Sequence, residues 1–357
     1  MATIYDVAKS AGVSPATVSR VLNGKSTVET TLRNRVLAAV ETLNFVPNST
    51  ARSLATKRTD RVALLIPDIT NPYYPEITRG AQDALDARGY HLILSNTDDN
   101  PERELKSINM LEKIGVDGLI ISPASPVHAP TRRKRDRQQL SERLEQLKIP
   151  IVSVSPEAPA PNADQVTVDE QGAAERAVQH LIDLGHKRIA LINGPREHQV
   201  SLRRRAGYER ALERVGLSVN AKLMQDADFR RASGHAAMQV LLSIAPRPTA
   251  VFAANDLMAL GAMAAIHQAG LRIPQDIAVI GVDNIADAAD ANPPLSTVSI
   301  PRLYEYGRIA ANLLLDRLGM GAERATHEPR IIRLETRLIA RESTVTPPQA
   351  RGARGKS

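Results

Sequence analysis

The sequence predicts an α/β chain: two doubly wound parallel-sheet lobes with a small all-α helix-turn-helix domain at the N-terminus. Three observations predict it. Between about residues 60 and 340, short and nearly continuous apolar runs alternate with helical patterns, as in parallel sheets covered on both faces. Residues 1–45 carry only helical stripes, broken by a glycine. The charge is also segregated. The first 60 residues hold 8 basic and 4 acidic side chains, the last 17 hold 4 and 1, and the 280 between them hold 34 and 34. The whole excess of +7 therefore sits at the two ends, the pattern of a neutral body with a basic head suited to a polyanion.

Composition narrows the classes. With 43% hydrophobic and 24% charged residues, the chain is globular in type rather than disordered. It has no cysteine, which removes disulfides, thiol nucleophiles and thiolate zinc sites. The first residues lack the charged-then-apolar build of a signal peptide, and no apolar run approaches the roughly 18 residues of a membrane span. A cytoplasmic chain with no membrane partner is expected. A 280-residue body is near the size at which one core stops growing, which favours two lobes.

In the head, Ile4, Val7, Ala8 and Ala11 form one apolar helical stripe, with Thr3 and Asp6 spaced as a capping box. Gly12 suits the helix end, Ser14 an N-cap and Pro15 the first position of a second helix, which buries Val18, Val21 and Leu22. Two short helices across a glycine turn make a helix-turn-helix. Pro15, Ala16, Thr17, Ser19 and Arg20 then occupy the part of helix two that reaches base edges in a major groove. Arg20 can pair bidentately with guanine, and Ala16 and the Thr17 methyl can meet a thymine methyl. Tyr5, Ser14 and Asn23 are suited to bonding phosphates. The same pattern also fits a small helical protein-interaction domain. A third helix is expected over 30–43, with Leu32, Val36, Ala39, Val40 and Leu43 inward. Pro47 stops the chain, and 48–55 has the makings of one or two helical turns, marginal alone, with an exposed Leu54.

At this point the sequence resembles a known family. Tyr5-Asp6-Val7-Ala8, Ala11-Gly12-Val13-Ser14, Thr17-Val18-Ser19-Arg20-Val21-Leu22-Asn23-Gly24, Asn44-Phe45-Val46-Pro47-Asn48 and Ala51-Arg52-Ser53-Leu54 look like the N-terminal signature of the lac repressor family. The resemblance runs to about residue 343. It implies a DNA-binding domain over 1–46 and a hinge helix over 47–59 that folds on operator DNA. Leu54 would wedge into the minor groove, with Asn48 and Ala51 on the same face, as an apolar wedge kinks a duplex. Glu29 and Leu32 depart from the family pattern, standing where relatives usually carry a small polar residue and a threonine. The tail lacks the leucine repeat of tetrameric relatives, so a homodimer is expected.

In the body, β runs at 62–66, 91–94, 118–121, 151–154, 166–168, 189–192, 250–253 and 277–280 alternate with helices, including 75–88 and 101–114. The resemblance, which extends to periplasmic sugar-binding proteins, implies three crossings between lobes near 160, 291 and 320. That gives an N-lobe of 60–160 and 292–319, a C-lobe of 161–291 and 320–343, and a disordered basic tail over 344–357. Such folds bind ligands beyond the strand C-termini. Asn71, Tyr74, Ser155, His198, Arg204, Phe229, Asn255 and Asp283 follow those ends or lie in adjoining loops. The resemblance assigns effector contacts to Arg204, Asp283, Tyr74, Phe229 and Asn255, and selectivity to His198 and Val200. Ser155 stands where many sugar-sensing relatives have an aspartate. Asp256 reads equally as a helix N-cap or a ligand contact, Asn71-Pro72 also reads as a turn, and Arg203 and Arg205 read as surface residues. The basic run 132–137 reads as a solvated loop leading into a helix, or as an anion contact.

No enzyme motif is present: there is no Walker loop, dinucleotide loop, H-E-x-x-H or G-x-S-x-G, and no histidine pair at metal spacing. The expectation is a homodimeric repressor without metal or cofactor, binding double-stranded operator DNA under the control of a small metabolite, a sugar or sugar derivative. The alternative is a metabolite-binding protein whose N-terminus is merely a helical cap.

Overall fold

The computed structural model describes residues 2–22, 28–45, 58–123, 130–196, 198–300, 302–319 and 328–345, with backbone alone at 130–134 and 137. The chain divides into two compact units, Met1–Thr59 and Asp60–Ser357.

The first unit holds α1 (Ile4–Ala11), α2 (Pro15–Leu22) and α3 (Thr30–Thr42). The capping box forms as expected. Thr3 Oγ1 accepts from the Asp6 amide at 3.3 Å, and the Asp6 carboxylate accepts from the Thr3 amide at 2.8 Å. Gly12 ends α1 at φ +63°, a conformation that only glycine adopts without strain. Val7, Ala8, Ala11, Val18, Val21, Val36 and Ala39 close a core between the three helices. Leu32 is half-buried.

The second unit begins with β1 (Arg61–Ile66), α4 (Tyr73–Asp86), β2 (His91–Asn96), α5 (Pro101–Ile114), β3 (Gly118–Ile121), α6 (Pro130–Gln146), β4 (Ile151–Val154) and β5 (Asp164–Val168). It continues through α7 (Glu170–Asp183), β6 (Ile189–Asn193), α8 (Gln199–Arg214), β7 (Met224–Asp226), α9 (Arg231–Leu242), β8 (Ala250–Ala253), α10 (Asp256–Gln268) and β9 (Ala278–Asp283). Then come α11 (Ala286–Asp290), β10 (Ser296–Ser299), α12 (Leu303–Gly319), β11 (Ile331–Leu334) and β12 (Arg337–Ile339).

These strands form two six-stranded sheets, ordered β11-β5-β4-β3-β1-β2 and β12-β10-β9-β8-β6-β7. The pairings are parallel except β10 with β12. The central strands are apolar and buried because helices cover both faces.

Three expectations are corrected here. The crossings fall after Val168, after Ser299 and between Leu334 and Arg337, not near 160, 291 and 320. β5 pairs with β4, so 164–168 closes the N-lobe, and β10 pairs with β9, so 296–299 belongs to the C-lobe. Hydrogen-bond partners set lobe membership, and a run of residues does not reveal its partner. Next, the tail does not begin at 344. Ser343 Oγ donates to the Val279 carbonyl at 2.6 Å, and the Thr344 and Ser296 hydroxyls lie 2.7 Å apart, all buried. Residues 346–357 lie outside the described residues. Finally, the basic run lies within α6 rather than in a loop, because Pro130 is compatible with the first helical position. Of its side chains only Arg135 and Asp136 are described.

Two contacts hold the N-lobe at positions that matter for the cleft. At the start of β5, buried Asp164 accepts from Arg317 Nε at 2.8 Å and from the Arg330 amide at 2.8 Å. Burial alone would push this carboxyl up, but Arg317 and Arg330 hold it below its ordinary range. Against the sheet, α4 and α12 cross through Gly80 and Gly307. A Cβ at Gly80 would land on the Tyr304 carbonyl, and one at Gly307 on the Ile77 carbonyl. Backbone cannot yield as a side chain can, so Gly80→Ala or Gly307→Ala should cost about 1–3 kcal/mol. Denaturant unfolding should show a lower midpoint, and an unchanged midpoint would show that the helices separate freely.

Candidate functional site

The two units each present a candidate site. In the head, Tyr5 is 71% exposed, and Ser14, Ala16 and Arg20 are exposed as well. Pro15, Thr17 and Ser19 are half-buried at the same end of α2. Ser14 is first of all a cap: its Oγ accepts from the Thr17 amide at 3.2 Å and lies 3.0 Å from Thr17 Oγ1. Sequence reasoning missed Arg35, whose Nη2 donates to the Ala11 carbonyl at 2.6 Å and ties α3 to the end of α1. An isolated arginine on a helix carries no pattern that would have marked it. Asn23, Asn48, Ala51 and Leu54 lie outside the described residues.

In the second unit, a cavity of about 1360 Å³ opens where strands from both sheets end. This exceeds the roughly 300–1,000 Å³ of a typical small-ligand pocket, so it is a cleft rather than a fitted pocket. All eight residues singled out from the sequence line it: Asn71, Tyr74, Ser155, His198, Arg204, Phe229, Asn255 and Asp283.

The buried guanidinium of Arg204, on α8, forms the polar floor. Its Nε donates to Glu170 Oε2 at 2.8 Å, its Nη1 to the Ala254 carbonyl and its Nη2 to Asp283 Oδ1 at 3.2 Å. Glu170 was not anticipated. An acid in the first turn of a helix is so ordinary electrostatically that it gave no functional signal. It starts α7 directly after the first crossing, so its backbone is fixed where the lobes join.

Asp283 ends β9 at φ +116°, in a region that an L side chain rarely adopts. Such a residue persists only where its surroundings over-determine it. Here it pairs with Ser299 across the sheet, and the next amide, Asn284 N, donates to Thr297 Oγ1 at 3.3 Å. Asp256 is neither the α10 cap nor part of the cavity lining. It is buried, accepting from Thr297 Oγ1 at 2.7 Å and the Ile285 amide at 3.1 Å. The cap is Asn255, which accepts from the Met258 amide at 2.9 Å and donates to the Phe229 carbonyl at 2.9 Å. Asn255 thus reaches the cleft with its amide already engaged at both ends.

Aromatic groups bound the walls. Tyr73 and Tyr74 meet edge to face at 5.0 Å, as do His198 and Phe229 at 5.3 Å. His198 caps α8, its Nδ1 accepting from the Val200 amide at 3.2 Å, which leaves the ring proton on Nε2. Ser155 turns back on its own loop and bonds the Ser153 hydroxyl at 2.9 Å and the Glu157 carbonyl. Asn71 is both lining and turn: its Oδ1 accepts from the Tyr73 amide at 3.0 Å. Arg205 pairs with Glu209 on its own helix, as expected of a surface residue. Arg203 reaches across to the Pro156 carbonyl at 3.4 Å, and Arg230 to Asp68 at 3.4 Å, so each joins the two lobes over the cleft. Pairs this exposed are worth roughly 0–1 kcal/mol.

Burial pushes the Asp283 carboxyl up from 3.8 to about 7, against the pull of Arg204 and with the help of Glu170. Burial, then Asp283 itself, raises Asp256 well above its ordinary value. A carboxyl whose folded value is raised holds a proton that the unfolded chain has released, so stability falls as pH rises between about 4 and 7. In Asp283→Asn this fall should shrink, leaving the share due to Asp256. Unfolding midpoints measured from pH 4 to 8 in both proteins check it, and parallel profiles would count against it.

Among the described residues there is no group of three His, Cys, Asp or Glu side chains suited to a metal ion, and no helix long and apolar enough to cross a membrane. Residues 3–48 match the family described as bacterial regulatory proteins, lacI family, and residues 178–344 match a periplasmic binding protein-like domain. Over 343 residues the chain is 36% identical to catabolite control protein A of Priestia megaterium, covering 96% of this chain and 99% of that one. The lac repressor dimer bound to operator and the anti-inducer ONPF superposes with a TM-score of 0.82 at 28% identity, covering 96% of this chain and 99% of that one. A lacI-family transcriptional regulator from Enterococcus faecium with bound ribose gives 0.70 at 29% identity, covering 81% and 100%. With an exposed helix-turn-helix at one end and a two-lobed cleft in its body, the chain belongs to the lacI family of bacterial regulatory proteins.

Proposed function

We propose that the chain is a homodimeric repressor of the cytoplasm that reads a near-palindromic operator, its affinity set by a small metabolite in the cleft. The observation that carries this reading is the cleft itself: eight residues chosen from the sequence line one cavity between lobes joined by three strand-to-strand crossings. It is supported by two relatives, one bound to operator and an anti-inducer as a dimer, the other holding ribose. A sugar or sugar derivative suits the combination of polar floor and aromatic walls. No catalytic step is assigned to Arg204, Asp283 or Asn255, each of which is held by protein partners.

In this reading Arg20 contacts a base edge and Tyr5 and Asn23 contact phosphates, while Leu54 wedges into the minor groove beside Asn48 and Ala51. Two heads present one reading helix each to half-sites about one helical turn apart. Ligand changes the angle between lobes and so the spacing of the hinges, provided its affinity differs between the two states.

The heads are tested by duplex binding across salt, where a repressor loses affinity steeply. Deleting 1–59 should abolish binding, and retained binding would remove the head from the function. Arg20→Ala should weaken operator binding by about 1–3 kcal/mol and relax specificity at one base pair. Leu54→Ala should weaken operator binding far more than non-specific binding, and equal losses would remove the wedge. A thermal-shift screen of the full chain against sugars, sugar acids, polyols and nucleobases identifies the ligand. Asp283→Ala should then abolish the operator response to it while sparing operator binding, and an unchanged response would take Asp283 out of the site.

A further inference from the structure

The floor of the cleft is a positive group whose charge is cancelled before any ligand arrives. Arg204 is 4% exposed, and its Nε and Nη2 lie 2.8 and 2.7 Å from the same oxygen of Glu170. Asp283 takes Nη2 from the other side at 3.2 Å. One guanidinium thus faces two carboxyl groups, with the carboxyl of Asp256, which burial keeps protonated, behind them. Among the described residues the walls do not redress the balance: nine carboxyl groups and four arginines line the cavity. Two of the arginines are engaged by acids, Arg204 as above and Arg230 by Asp68. From the N-lobe, the neutral phenols Tyr73 and Tyr306 line the same cavity as Glu170, and Tyr306 donates to the Val166 carbonyl at 2.9 Å.

An anionic substituent brought to this floor gives up its hydration without finding an uncompensated cation, and it meets carboxylates instead. Leaving an anion unpaired away from water is costly, and so is placing like charges together. A hydroxyl has no such requirement. It can donate to the lone pairs that Asp283 and Glu170 leave open, while its ring lies against Tyr74 or Phe229.

We infer that Glu170 is a specificity-determining residue: by balancing Arg204 in advance, it restricts the cleft to uncharged, hydroxyl-bearing ligands and excludes their carboxylate and phosphate derivatives. This rests on the reading of the cleft as the effector site. Its position at the first turn of α7, directly after the first crossing, holds the carboxylate in place whether or not a ligand is bound.

The test is calorimetry on the full chain with matched pairs: D-ribose and ribose 5-phosphate, D-glucose and D-gluconate, D-galactose and D-galacturonate, cytidine and cytidine 5′-phosphate. In the wild type, a neutral member should bind at least about tenfold tighter than its anionic counterpart. Glu170→Gln should move that ratio at least about tenfold toward the anion, and Glu170→Asp, which keeps the charge, should preserve the wild-type order. An anionic member binding as tightly as its parent, a ratio unmoved in Glu170→Gln, or no binding by any pair overturns the inference. Should Glu170→Gln fail to fold, the wild-type ratio decides alone. An anionic ligand that binds and shifts operator affinity would overturn the role of Glu170 while leaving the cleft as the sensor. A chain in which no compound shifts operator affinity would remove the sensor reading itself.

Discussion

A guanidinium buried where two lobes meet must be neutralised on the spot, and much of the body is arranged around that requirement. Arg204 comes from α8, Glu170 from the start of α7 and Asp283 from the end of β9, so one charge cluster draws together three C-lobe elements. The two acids also lie near routes between lobes. Glu170 follows the first crossing, and Asp283 sits beside Ser299, the last residue of β10 before the second. The next residue, Asn284, accepts from Arg341 Nη2 at 2.8 Å, just beyond the strand that follows the third. Removing Arg204 from such a cluster would leave the buried acids uncompensated, which is strongly destabilising. The strained backbone at Asp283 fits the same picture, since a conformation this unfavourable is retained only where several contacts fix it.

The lobes themselves are rigid for a different reason. Their sheets are covered on both faces, and in the N-lobe α4 and α12 approach until backbone touches backbone at Gly80 and Gly307. Packing of this kind does not deform gradually. Motion between lobes is left to the crossings and to exposed contacts such as Asp68 with Arg230, which are weak enough to exchange. A ligand that favours one lobe angle shifts the population only by its difference in affinity for the two states.

The head works by a contrasting logic. Its few interior side chains are small and apolar, and Tyr5, Ala16 and Arg20 are left outside. The interior charge of the cleft is balanced within the protein, whereas the basic excess of the head is left for DNA to balance. This agrees with a body that carries 34 basic and 34 acidic residues and a head that carries 8 and 4.

The sequence by itself determined the class of each element, because local periodicity is a local property. The stripe of Ile4, Val7, Ala8 and Ala11, the box of Thr3 and Asp6, and the glycine turn were all legible, as were the helix at 101–114 and the strands at 118–121, 151–154 and 250–253. So were eight of the residues that line the cleft, though not Glu170, since strand C-termini in doubly wound sheets converge wherever the strands lie and the family resemblance chose among the residues there. Only the tertiary structure decided which strand pairs with which, and hence where the chain crosses between lobes. Ser296-Thr297-Val298-Ser299 does not read as a buried strand until β9 and β12 flank it. Tertiary structure also decided that Asn255 rather than Asp256 caps α10, and that Glu170 rather than any residue near Arg204 in sequence neutralises it. Pairing of that kind depends on three-dimensional proximity between residues 34 apart, and no local pattern encodes it.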